Sequence, residues 1–127
     1  MRGLYLTADL MFSSRVLAAA STLGFKLDVC MSVARFHSEL AAGDVRLVIF
    51  DLAMPGVAIA EAVAQARSAA PQARLVAYGP HVQVDMMRQA LDAGCHDVLS
   101  RGEFQAAYPG LLSGAANAAF GDPQAGK

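Results

Sequence analysis

The chain has 127 residues, with ten basic against eleven acidic side chains and a formal net charge of −1. A chain of this length buries roughly two thirds of its unfolded surface around a single core, so one domain is the natural reading. Apolar residues make up 55%, but 26 residues are Ala and no apolar run reaches the ~18 residues of a membrane span. This disfavours a membrane-anchored chain, so no membrane partner is expected and the reading is an Ala-rich globular domain.

The eight Arg and two Lys are scattered singly, which gives no polybasic footprint and excludes direct nucleic-acid binding by this domain. The N-terminus reaches Asp9 too early for the core of a signal peptide and reads instead as a first strand, consistent with a cytoplasmic location. Cys30 and Cys95 form no CxxC or Cys/His ligand spacing, as expected of two buried thiols in a reducing compartment.

Short β-type apolar runs alternate with helical stretches along the chain. The first run is Gly3 to Thr7, followed by a helix capped by Ser13 or Ser14 and stopped by Gly24. Leu27 to Met31 is the second strand, and Ser32 caps a helix over Val33 to Ala42 that Gly43 ends. Val45 to Phe50 is nearly continuous in large apolar residues and suits a central strand. A third helix covers about Val57 to Ala69 and is closed by Pro71. Arg74 to Tyr78 is the fourth strand, and a helix from about Val82 to Ala93 lies between Pro80 and Gly94. His96 to Leu99 is the last strand, and Pro109 suits the first turn of a fifth helix running to about Phe120. Residues 1–120 form the domain, and 121–127 are expected to be a disordered tail.

Five βα units predict an α/β fold: one doubly wound, flavodoxin-like (βα)5 domain with a five-stranded parallel sheet. If the strand order is 2-1-3-4-5, the order reverses between the first and third strands, where such sheets bind ligands beyond the strands' carboxyl ends. This topology brings together Asp9, just past the first strand, and Asp51, ending the third. Two meeting carboxylates repel unless a hard cation such as Mg²⁺ bridges them. The spacing is equally compatible with Asp9 serving only as a turn or cap residue.

The segment Val48-Ile49-Phe50-Asp51-Leu52-Ala53-Met54-Pro55-Gly56 resembles the phosphoacceptor strand and loop of two-component response-regulator receiver domains, the CheY-like superfamily. Ala93-Gly94-Cys95-His96-Asp97-Val98-Leu99-Ser100-Arg101 is similar to the stretch leading to that family's terminal Lys. The resemblance implies that Asp51 is the candidate phosphoacceptor, that Asp9, Asp51 and the Ala53 backbone carbonyl would hold Mg²⁺, and that Arg101 supplies the charge of the Lys. The phosphodonor would be a histidine kinase or a small phosphoanhydride. Partners, whether kinase, phosphotransfer or effector protein, or a second copy in a homodimer, would use the face of the fourth helix, fifth strand and fifth helix.

The sequence also departs from that family. Ala8-Asp9 keeps only the second of the usual paired acids, and Gly79 falls at the position of the Thr or Ser that hydrogen-bonds the phosphoryl group. Val98 replaces the aromatic switch residue, and Gly102 the proline after the Lys. These losses predict weak Mg²⁺ binding and an atypical receiver acting mainly through protein contacts, with weak or absent phosphorylation of Asp51. A guanidinium at Arg101 can also pair both oxygens of an unmodified Asp51.

The alternative is a receiver that still accepts phosphate on Asp51. Neither reading makes the domain an enzyme in the ordinary sense. A flavodoxin-like enzyme or nucleotide- or flavin-binding domain shares the architecture, but no GxGxxG, GxxxxGK[ST], GxSxG or HExxH is present. His37, His81 and His96 have no ligand-like spacing and read as surface or cap residues.

Overall fold

A computed structural model describes residues 1–117. Its elements are β1 (Arg2–Leu6), α1 (Leu10–Thr22), β2 (Lys26–Cys30), α2 (Val33–Ala42), β3 (Val45–Asp51), α3 (Ile59–Ala69), β4 (Arg74–Gly79), α4 (Val84–Ala93), β5 (Asp97–Ser100) and α5 (Arg101–Ala116). All strand pairs are parallel and the sheet order is β2-β1-β3-β4-β5, as the alternating pattern predicts. None of the described helices is long and apolar enough to cross a membrane.

The pleat sorts side chains into two cores. Leu4, Leu6, Val48 and Phe50 pack with Phe36 of α2, Val63 of α3 and Ala90 of α4. Tyr5, Leu47, Ile49, Val76 and Tyr78 pack with Phe12 and Val16 of α1 and with Phe104 and Leu112 of α5. Both faces of β3 are therefore buried, which is why Leu47 to Phe50 is an unbroken apolar run.

Two helix starts differ from the sequence expectation. Asp9, not Ser13 or Ser14, caps α1: its carboxylate accepts the Phe12 N–H at 3.0 Å. The two serines lie inside the helix and donate back to Leu10 and Met11 carbonyls. A carboxylate at the N-cap satisfies an otherwise orphaned N–H and faces the positive end of the helix dipole.

Pro109 lies in the interior of α5 rather than in its first turn. The start is set eight residues earlier by a capping box, in which Ser100 accepts the Glu103 N–H and the Glu103 carboxylate accepts the Ser100 N–H. Phe120 and the expected tail over 121–127 lie outside the described residues.

Candidate functional site

The carboxyl ends of β1 and β3 converge where the strand order reverses, and Asp51 ends β3 there, 6% exposed. Register and alternation place Asp51 on the α1/α5 side of the sheet with Leu47 and Ile49, and place Thr7 on that same side after Tyr5. The fully buried Thr7 hydroxyl donates to Asp51 Oδ2 at 2.6 Å, and the Ala53 N–H donates to Oδ1 at 2.9 Å. Each carboxylate oxygen thus has a donor, and that is how a nearly buried charge is tolerated. Thr7 also accepts the Asp9 N–H at 3.0 Å, which ties the β1–α1 turn to Asp51.

The structure does not join Arg101 to Asp51. The guanidinium pairs with Asp9 Oδ2 at 3.0 Å and lies over the Phe12 ring, its central carbon 4.6 Å from the ring centroid. Two physical reasons favour this arrangement. Asp51 is already satisfied by neutral donors, and the partly exposed Asp9 lets the guanidinium keep part of its hydration while gaining a cation–π contact. The Asp9 carboxyl is held below the usual carboxylate range, first by the Phe12 N–H and then by Arg101. Arg101 is correspondingly raised by Asp9.

On β4 the residue paired with Asp51 is Tyr78, and Gly79 follows one position later. Tyr78, not Gly79, therefore shares the face of Asp51. A β-carbon on Gly79 would lie 2.9 Å from the Leu52 β-carbon, so the glycine permits close packing of the β3–α3 loop. Tyr78 is buried, hydrogen-bonded to the Tyr5 hydroxyl and stacked on Phe104 with centroids 4.2 Å apart and planes at 7°. Burial is the main cause that pushes both phenols up, out of the physiological range. Tyr5, Phe12, Tyr78 and Phe104 form an aromatic floor beneath Thr7 and Asp51.

Thr7 and Phe12 stand in no motif of the sequence, and Tyr78 opens the turn Tyr78-Gly79-Pro80. The signal for Thr7 and Tyr78 is the two-residue strand period, which counts Tyr5 and Thr7, Ile49 and Asp51, and Val76 and Tyr78 onto one face. Val98 is partly buried against the α2–α4 core. Cys30 and Cys95 are free and buried, and burial pushes their thiols up to about 11 and about 12. His96 accepts the Leu75 N–H at Nδ1, 3.0 Å away, and so extends the edge of the sheet.

Each oxygen of Asp9 and of Asp51 accepts one hydrogen bond from a protein donor. No group of three or more His, Cys, Asp and Glu suited to a metal occurs among the described residues. A cation bridging Asp9 and Asp51 would compete with Arg101 for Asp9 Oδ2.

No protein-family model matches the chain. Over 55 residues it is 38% identical to the transcriptional activator protein ExaE of Pseudomonas putida, a match covering 43% of this chain and 26% of that protein. The chain thus spans about a quarter of the length of that curated relative. It superimposes with a TM-score of 0.75 and 14% identity on a response regulator protein from Burkholderia pseudomallei with a phosphorylated aspartic acid, calcium ion and citrate, covering 92% of this chain and 69% of that one. A CheY-like response regulator receiver domain protein from Methanospirillum hungatei JF-1 matches with a TM-score of 0.74 and 12% identity, covering 92% and 97%. The chain has the CheY-like receiver fold.

Proposed function

We propose that this chain is a receiver-like signalling domain of a two-component system that works mainly through protein contacts, with little or no phosphorylation of Asp51. The observation that carries this reading is that each Asp51 oxygen already accepts a hydrogen bond, from the Thr7 hydroxyl and the Ala53 N–H, while the nearby cation is turned to Asp9. Phosphorylation needs a carboxylate oxygen that can leave its hydrogen-bond donor to attack phosphorus, and positive charge to neutralise the product. Here Thr7 holds one oxygen, Ala53 the other, and Arg101 is engaged elsewhere. Tyr78 on β4 is pinned by Tyr5 and Phe104, so no free hydroxyl on that strand waits to follow an added phosphate.

Partners of such a domain are a kinase, a phosphotransfer protein or an effector, met in the cytoplasm through the face of α4, β5 and α5. On that face α4 exposes Val84 and Leu91, 60% and 58% accessible.

Acetyl phosphate with Mg²⁺, followed by intact mass, tests the reading. Little or no phosphoryl adduct is expected. Near-complete addition of one phosphoryl group, absent in Asp51→Asn, would overturn it and establish the alternative, a phosphate-accepting receiver like the Burkholderia pseudomallei protein.

A further inference from the structure

A cavity of about 590 Å³ opens between the first turns of α1 and α5, bordered by Asp9, Met11, Phe12, Arg15, Arg101 and Gln105. Asp51 does not border it. Met11 and Arg15 are one turn apart on α1, and Arg101 and Gln105 one turn apart on α5, so each helix contributes an aligned pair to one wall.

The wall holds two guanidinium groups against one carboxylate. That carboxylate is already committed, one oxygen to Arg101 and the other to the Phe12 N–H. Arg15 makes no hydrogen bond or ion pair among the described residues, and Arg101 donates only through Nη2, to Asp9. The cavity therefore has unused guanidinium N–H groups on both walls and an excess of positive charge, a combination that favours a multiply charged oxyanion. A phosphate can accept the N–H forks of both arginines at once.

The remaining space suits more than an inorganic ion. The volume lies within the ~300–1,000 Å³ usual for small-molecule sites. One border is the thioether of Met11, 86% exposed, a polarizable surface of the kind that covers aromatic rings. Gln105 adds an amide that can both donate and accept. Phosphate between two arginines, a flat ring on a methionine and an amide at its edge together describe a nucleoside phosphate.

We propose that the α1/α5 cavity is a binding site for a nucleoside phosphate, with its phosphate held between Arg15 and Arg101 and its base along Met11 within reach of Gln105. The cavity does not border Asp51, although it shares Asp9 and Arg101 with the site described above.

The test is a titration of the full chain with AMP and GMP, alongside adenosine and inorganic phosphate, followed by calorimetry and by backbone amide NMR shifts. At least one of the two nucleotides is expected to shift Met11, Arg15, Arg101 and Gln105 saturably, and to bind at least tenfold more tightly than adenosine or phosphate. Arg15→Gln, at an exposed position, should weaken binding tenfold or more with unchanged circular dichroism, whereas Arg88→Gln, an exposed arginine on α4 outside the cavity, should leave the affinity unchanged. Absence of saturable shifts, shifts centred on Asp51 and Ala53, equal affinity for phosphate alone, or an Arg15→Gln variant that binds normally would each overturn the proposal.

Discussion

Replacing Thr7 by valine keeps the shape of a fully buried side chain and removes one oxygen that makes two hydrogen bonds. Asp51 Oδ2 loses its donor at 2.6 Å, and the Asp9 N–H loses its acceptor at 3.0 Å. A hydrogen bond to a charged group contributes about 1.5–3 kcal/mol, and a neutral one about 1 kcal/mol. The turn is partly open to solvent, so water can recover some of the second bond, which puts the total at about 2–4 kcal/mol. With an unfolding entropy of about 2.1 cal/mol/K per residue, a domain of this size loses roughly 4 °C of Tm per kcal/mol, hence about 8–16 °C. Urea unfolding monitored by circular dichroism gives the free energy. A double-mutant cycle with Asp51→Asn isolates the pair, since asparagine keeps an acceptor for the Ala53 N–H. A coupling above about 1 kcal/mol is expected; additivity within about 0.3–0.5 kcal/mol would show that Thr7 and Asp51 are energetically independent and would refute the locked-acceptor argument.

Three further outcomes follow from the same geometry. Asp9→Ala removes both the α1 cap and the Arg101 pair and should cost about 1–2 kcal/mol by urea unfolding, most of it from the cap because the ion pair is partly exposed. Asp9→Asn keeps a capping oxygen and should cost less than half as much. Because the carboxyl of Asp9 is depressed in the folded state, its contribution is fully present above the unfolded carboxylate range and is lost as pH falls through the lower folded value; the acid arm of the stability curve should therefore flatten in Asp9→Asn. His96 is lowered mainly by burial, so it stabilises the fold above the ordinary histidine range and loses that contribution as pH falls through its depressed folded value, where protonation also destroys the acceptor for the Leu75 N–H. His96→Asn, which offers an oxygen near the Nδ1 position, should remove the step from stability measured across pH 7 to 5, near the ordinary histidine pKa of about 6.5. Gly79→Thr, which restores the residue usual in receivers at the position aligned with Gly79, should destabilise by about 1–3 kcal/mol and lower Tm in a thermal melt, because its β-carbon meets Leu52 at 2.9 Å. A gain in acetyl phosphate labelling without loss of stability would contradict that placement.

The order of elements, the parallel sheet and the buried central strand were legible in the sequence, because binary patterning and crossover rules act locally: Val45 to Phe50 is apolar on both faces, and each strand is followed by a length of chain that suits a helix. Helix starts were less legible. Ser13 is as good a cap as Asp9 in isolation, and only the approach of Arg101 and the Thr7 turn makes Asp9 the better one. Propensity alone suits Pro109 to a first turn, whereas the Ser100–Glu103 capping box starts α5 earlier.

At the candidate site, the sequence by itself determined that Asp51 ends a buried strand at the reversal of strand order, that Asp9 lies nearby and that the last strand delivers an arginine. Which groups touch was decided by tertiary structure. Strand register put Thr7 and Tyr78 on the face of Asp51, and the packing of Phe12 beneath α5 offered Arg101 a ring and a partly solvated carboxylate in place of a buried one already satisfied. Charge and strand position are properties of the chain, whereas the choice between Asp9 and Asp51 is a difference in desolvation, which exists only once the surroundings of both are built.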